Sequence, residues 1–454
     1  MMRKQRMKNL ILFAVLLVAT TACNEGAQAP HSTPEQAFIA WASDHATTIH
    51  ALDPVEDNRD LAVIAAAIGS ARVVTISETY HNSGEIMRLH DRVIRYLVAE
   101  HGFNTVVAET SLPESRAIHD YVLGEPPIDD LWWNGINTMY GEWREGRALI
   151  EWLRKYNQDG PDVPVHYYGI DIAGFYRDWR PPFNQVMDYL DPLDPEFSTE
   201  IRETVLPIIE IMGDDARPRY LDLLGARQRA ELTLALDRLV DRFAEQEDEY
   251  RGNSTETAFQ WARQSAISLQ LADNYYHNYE QQTRHMGAQY AGLNGREVAM
   301  ARNIAWVLEQ REDARVIVIN HIIHTKTESM YQGETWGHLT PMGAFLRQQL
   351  GEDLYGIGVA YGGGEFWDGW KALEGRALKP VAAAGDGIEA TLGNITKGDF
   401  FLDFRTAPAS AHGWLNEVTT IRETSEEYIN IRPSEWDGII FLDHAGGATP
   451  VVGR

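Results

Sequence analysis

The chain has 454 residues, 44% hydrophobic and 23% charged, which is long enough for more than one packed unit and apolar enough for a sizeable core. This balance excludes extensive disorder, and a single apolar run excludes a polytopic membrane protein. Forty Lys and Arg against 66 Asp and Glu give a formal net charge of −26, which excludes a general nucleic-acid footprint, while the single cysteine excludes an intramolecular disulfide or a thiolate metal cluster.

The N-terminus reads as an address. Arg3, Lys4, Arg6 and Lys8 precede the apolar run 10–19, and Thr20-Thr21-Ala22 precede Cys23. A basic stretch, a short apolar stretch and small residues before a cut define a secretory signal over residues 1–22, and the apolar run is too short to span a bilayer as a helix. Cys23 directly after Ala22 resembles the lipidation site of a bacterial lipoprotein, although Thr20 stands where Leu is usual. The expectation is an exported protein, either anchored in a membrane through lipidated Cys23 or free in the periplasm. Residues 23–34 lack periodicity and read as a tether.

The mature chain alternates helices and strands. Apolar spacing predicts helices over 34–51 and 60–70, a β-branched run predicts a strand over 72–77, and a helix over 85–101 is stopped by Gly102. A second strand covers 104–109, followed by a helix over 142–156 and a strand over 163–170. From 182 to 290 the pattern is helical almost throughout. A helix over 296–311 then leads to a strand over 314–320, a helix over 342–350 leads to a strand over 354–361, and 400–404 and 438–442 read as late strands. The predicted fold class is α/β, with a central, mostly parallel sheet flanked by helices and a large helical insertion. Its divisions are a first α/β part over 35–181 with a Glu/His site, the insertion over 182–290, and a second α/β part over 291–454 with a further histidine pair.

Ligands of open α/β sheets bind beyond the carboxyl ends of the strands. The first strand leads to Glu78, His81 and Glu85, the second ends at Glu109, the third at Asp171, and the fourth at His321 and His324. Two histidine-bearing stretches and several carboxylates thus converge on one rim, as general acid and base chemistry requires. Gly-x-Ser-x-Gly does not occur, which disfavours a serine esterase.

These residues resemble the erythromycin esterase family. Glu78, His81 and Glu85 keep the spacing of its Gly-Glu-x-x-His-Gly-x-x-Glu stretch, Arg88 and Arg95 fall on the following helix, His101-Gly102-Phe103 matches, and Glu109 ends the next strand. The likeness continues through Glu145, Glu151-Trp152-Leu153-Arg154, Tyr168-Gly169-Ile170-Asp171, Arg296 and Met300-Ala301 to the pair His321 and His324. Ser77, Asn82 and Asn320 depart from the family pattern. The resemblance implies a hydrolase that cleaves a carboxylic ester or lactone with histidine-activated water, no serine nucleophile and no cofactor. Position by position it implies His81 as general base oriented or tuned by Glu109, His321 polarising the carbonyl or holding the tetrahedral oxyanion, and Glu78, Arg88 and His324 completing the inner shell. Arg88, Glu85, His324 and Asp171 are the substrate-binding candidates. The partner is then a small-molecule ester or lactone, with the membrane contacted through the lipid anchor, and antibiotic resistance comes into question.

Two other readings use the same residues. Glu78, His81, Glu109, His321 and His324 are ordinary ligand types for a divalent metal, which would make the protein a metal-dependent hydrolase or a metal- or haem-binding surface lipoprotein. A chain that keeps the fold and has lost the reaction would be a non-catalytic binding lipoprotein.

Overall fold

The computed structural model describes residues 32–451 apart from 55–56, 130, 135–139, 176, 215, 285–288, 333–337, 368–376, 396–397 and 423–427. The leader and Cys23 lie outside the described residues. Among those described, no helix is long and apolar enough to cross a membrane.

An eight-stranded sheet organises the chain. In chain order its strands are β1 Thr47–Thr48, β2 Val73–Glu78, β3 Thr105–Ser111, β4 His166–Asp171, β5 Val316–His321, β6 Leu354–Tyr361, β7 Phe400–Asp403 and β8 Gly438–Leu442. Their spatial order is β1, β7, β8, β6, β2, β5, β3, β4. From β8 to β4 all neighbours run parallel, and β7 pairs antiparallel with both β8 and β1. The α/β expectation holds, with a large parallel-rich sheet flanked by helices.

Side-chain alternation assigns each strand residue to one of two layers. Val74, Ile76, Val106, Ala108, Ile317 and Ile319 share a core with helices Gly84–His101 and Arg144–Gln158. Val73, Val107, Val316 and Val318 pack on the opposite face with Met300, Ile304 and Val307 of helix Gln289–Gln310 and with Met342 and Leu346 of helix Met342–Leu350. Each fully buried aliphatic side chain contributes about 1.5–3 kcal/mol, so the central strands are fixed by both layers. Between β4 and β5 helices follow one another from Arg180–Leu190 to Glu256–Arg284, around a core of their own that includes Phe183, Val205, Leu236, Phe243 and Tyr276.

Some boundaries differ from the sequence expectation. The first helix, Pro34–His45, stops short of 51 because Thr47 and Thr48 pair with Phe401 and Phe400 at the sheet edge. β4 begins at His166 rather than 163, since Pro164 has no N–H to give a ladder. Helix Gln289–Gln310 starts before Gly295; a glycine inside a helix costs about 1 kcal/mol, a penalty outweighed by the burial of Ala299 and Met300. Gly102, at φ 68°, supplies the left-handed cap that ends helix Gly84–His101.

Candidate active site

β5 is inserted between β2 and β3, although it follows them by some two hundred residues. Glu78 therefore stands in register with His321, and Ala108, just before Glu109, with Ile319. Beyond β2 the chain turns at Thr79–Asn82 and enters the Ser83-capped helix Gly84–His101, which leaves His81 in the strand-to-helix turn. Beyond β5 the His321 side chain caps the short helix Ile322–Thr325, and His324 follows one turn later. Glu78, His81, Glu109, Asp171, His321 and His324 are all buried.

His81 Nδ1 lies 2.6 Å from Glu78 Oε1, and the Tyr140 hydroxyl donates to the same oxygen at 2.7 Å. Burial alone would raise the Glu78 pKa, but the His81 charge and both hydrogen bonds hold it below its ordinary value. Burial works to lower the pKa of His81, and the Glu78 charge and hydrogen bond, with help from Glu109, hold it above 6.5. The carboxylate seated on Nδ1 is thus Glu78; of the two roles the sequence left open for Glu109, orienting or tuning, the charge effect is the one present. The ring of His321 stands 4.8 Å from that of His81. Burial and the His81 charge push its pKa down to about 3, so His321 is neutral. Its Nδ1 accepts from the Ile323 N–H at 3.5 Å, which puts the remaining proton on Nε2.

A second layer of charge holds Glu109. Its Oε1 accepts from Arg296 Nη2 at 2.7 Å and its Oε2 from the His321 N–H at 3.0 Å. Arg296 also grips Asp171 through Nε at 3.0 Å and Nη2 at 2.7 Å, and stacks 4.1 Å from the Phe175 ring centre. Against burial, His324 and Arg296 hold the Glu109 carboxyl well below its ordinary range. His324 Nδ1 lies 2.6 Å from Glu297 Oε1 and Nε2 lies 3.3 Å from Glu109 Oε1. Burial opposes a charge on His324, but the two carboxylates raise it to about 9, and the Met342 N–H binds the other Glu297 oxygen at 2.8 Å. The two carboxylates favour a protonated ring that bridges Glu297 and Glu109, while Arg296 Nη1, 3.1 Å from His324 Nε2, works against that charge.

Arg88 and Glu85 do not join this network. Arg88 bonds Glu85 at 2.5 Å and faces Asp53 at 3.3 Å, and Glu85 also accepts from the Gly446 N–H. Arg88 is about one-third exposed and pairs with Glu85 and Asp53, while Glu85 ties the helix to the C-terminal segment at Gly446, so the expected inner-shell place of Arg88 is corrected. Asp171 is present as the clamp on Arg296. Tyr140 and Glu297 were not anticipated, and Arg296 was noted without a role. Arg296 had a readable signal, since it stands four residues before Met300 on the apolar face of its helix. Tyr140 had none.

Donor atoms of Glu78, His81 and Glu109 lie within 4.8 Å of one another. As metal ligands they are largely committed: His81 Nδ1 to Glu78, and both Glu109 oxygens to Arg296 and the His321 N–H. A cation here would face the Arg296 guanidinium and a histidine that tends to be protonated, so the set fits a resident metal poorly.

The erythromycin esterase family profile matches residues 98–445. The chain belongs to the erythromycin esterase family. The matched span holds Glu109, Asp171, Arg296, His321 and His324 and begins beyond Glu78 and His81. An erythromycin esterase type II of Escherichia coli is 24% identical over 333 residues, 71% of this chain and 76% of that protein. The putative hydrolase YbfO of Bacillus subtilis strain 168 is 21% identical over 458 aligned positions, 96% of this chain and 98% of that protein. The structure of a mutant erythromycin esterase in its open conformation superposes with a TM-score of 0.72 at 17% identity, covering 90% of this chain and 99% of that one. The resemblance read from the residues is therefore met, and this family member is a hydrolase.

Proposed function

We propose that this family member hydrolyses a carboxylic ester or lactone of a small molecule, with water activated by His81. The observation that carries the reading is the pairing of two unlike histidines, His81 seated on the Glu78 carboxylate at 2.6 Å and neutral His321 4.8 Å away from it, ring to ring. Neutral His81 takes a proton from water as the water oxygen bonds to the carbonyl carbon. The carbonyl oxygen becomes an oxyanion, which accepts a hydrogen bond from Nε2–H of His321. The carbon–oxygen bond of the leaving group then breaks, and the leaving alkoxide takes the proton back from His81. Glu78 stabilises the imidazolium in between, and Arg296 with His324 keeps Glu109 ionised beside it. No cofactor enters this sequence.

A panel of esters and lactones that includes macrolides, run with His81→Ala, tests the proposal. The expected result is hydrolysis of at least one substrate and a loss of about 10²- to 10⁴-fold in the variant. Equal inactivity of both proteins on every ester would leave a non-catalytic binding protein. A divalent metal is the second reading, favoured by the donor cluster and by Glu78 Oε2, which has no hydrogen-bond partner among the described residues. Exhaustive chelation decides between them, since the metal-free reading expects unchanged activity. We further propose export and lipid attachment at Cys23. Cys23→Ala should then move the protein from the membrane fraction to the soluble one.

A further inference from the structure

Oε1 of Glu78 carries two donors, His81 Nδ1 at 2.6 Å and the Tyr140 hydroxyl at 2.7 Å. Glu78 is fully buried, and among the described residues Tyr140 is its one donor besides His81. A buried carboxylate is costly without such bonds, and two donors on one oxygen stop the carboxylate from turning without losing one of them. Tyr140 is itself clamped. A Cβ at Gly146 would stand 2.3 Å from the Tyr140 carbonyl oxygen, so only glycine lets helix Arg144–Gln158 come this close. The Trp143 N–H donates to the same carbonyl at 3.3 Å, and Arg147 Nε donates to the next carbonyl, of Gly141, at 2.7 Å.

We propose that Tyr140 is a positioning residue: its hydroxyl, held in place by the close approach of its backbone to Gly146, fixes the Glu78 carboxylate and through it the direction of the His81 ring. The inference rests on the proposed role of His81, yet it has a readout that needs no substrate. The other groups that face the pair are His90, Glu109, His321 and His324. None replaces the hydroxyl: His90 Nε2 donates to the Ser77 carbonyl at 2.9 Å, and His321 caps its own helix. Burial and the Glu78 charge keep the Tyr140 phenol protonated, hence a donor.

Tyr140→Phe removes one oxygen and keeps the ring, which borders a small cavity with Met87, His90, Leu149 and Tyr167, so repacking is not demanded. The expected result is a fall in kcat of about 10- to 100-fold with KM unchanged. The low-field proton signal of the His81 Nδ1–H, assigned by its loss in His81→Ala, should shift at the same time. In a Glu78→Gln background the same substitution should add no further loss. Gly146→Ala, which displaces the Tyr140 backbone, should lower kcat and shift the signal as well, and it carries the test if Tyr140→Phe does not fold. A folded Tyr140→Phe protein with unchanged kcat and proton signal overturns the proposal, as does an undiminished effect in the Glu78→Gln background. If the wild type hydrolyses nothing, the proposed function fails and the proton signal alone decides: a shift supports the positioning role, and an unmoved signal overturns it.

Discussion

At the residue scale, the site gives chemically identical side chains different electrostatic surroundings. His81, His321 and His324 are all buried, yet the first is held above its ordinary pKa, the second is pushed down to about 3 and the third is raised to about 9. The carboxylates decide this, because Glu78 faces His81 while Glu297 and Glu109 flank His324. A base must be unprotonated to act, so activity should fall as pH drops through the His81 value, placing the acid limb of kcat/KM above pH 6.5; a limb centred below 6.5 would count against His81 as the base. His321→Ala should lower kcat by about 10²- to 10³-fold, the usual loss for one oxyanion donor, measured in steady-state kinetics. Arg296→Met leaves Glu109 and Asp171 without their shared cation, a loss of about 3–5 kcal/mol that chemical denaturation should register. The sequence showed most of these residues, because strand ends rich in Glu and His are visible by inspection. It misplaced Arg88, whose spacing on the helix says nothing of which way the side chain turns, and of the two roles it left open for Glu109 toward His81, orienting or tuning, only the charge effect is present. Glu78, three residues from His81, is the nearer carboxylate once the strand-to-helix turn folds back.

Among the secondary-structure elements, β5 does most to assemble the site. It carries His321 between Glu78 and Glu109, and its alternating residues enter both cores, Ile317 and Ile319 on one face and Val316 and Val318 on the other. Ile317→Ala should therefore lower the denaturation midpoint by an amount equivalent to about 2–5 kcal/mol, and a surface-like effect below about 0.5 kcal/mol would contradict this placement. The strands and long helices were readable because their periodicities of two and 3.6 are local properties. The order of the strands was not, since nothing in residues 72–109 announces that a segment two hundred positions later lies between them. Helix Gln289–Gln310 shows the same limit: its apolar spacing was plain, while its delivery of Arg296 and Glu297 to the site depends on the helices before it.

For the whole molecule, the charge network links stability to pH. His324 has a folded pKa of about 9 against an ordinary 6.5, so its contribution is complete below about pH 6.5 and is lost as pH rises toward 9. Melting temperature should decline over that window, and His324→Gln should flatten the decline; a parallel decline in both proteins would refute the assignment. The buried acids Glu114, Glu389 and Glu435, raised to about 7, act mainly at lower pH, between the ordinary carboxylate value and 7, which is why the variant comparison is needed.

The net charge of −26, the single cysteine, the α/β alternation and the family resemblance were all determined by the sequence itself, because composition, periodicity and motif spacing are properties of neighbours along the chain. The tertiary structure alone decided that Glu78 takes Nδ1 of His81, that the pKa of His321 is driven down and that of His324 up, that Arg88 pairs with Glu85 and Asp53, and that Tyr140 reaches Glu78. These depend on burial and on charges brought within a few ångströms from distant segments, and electrostatics in a low-dielectric interior is set by distance in space rather than by position in the chain.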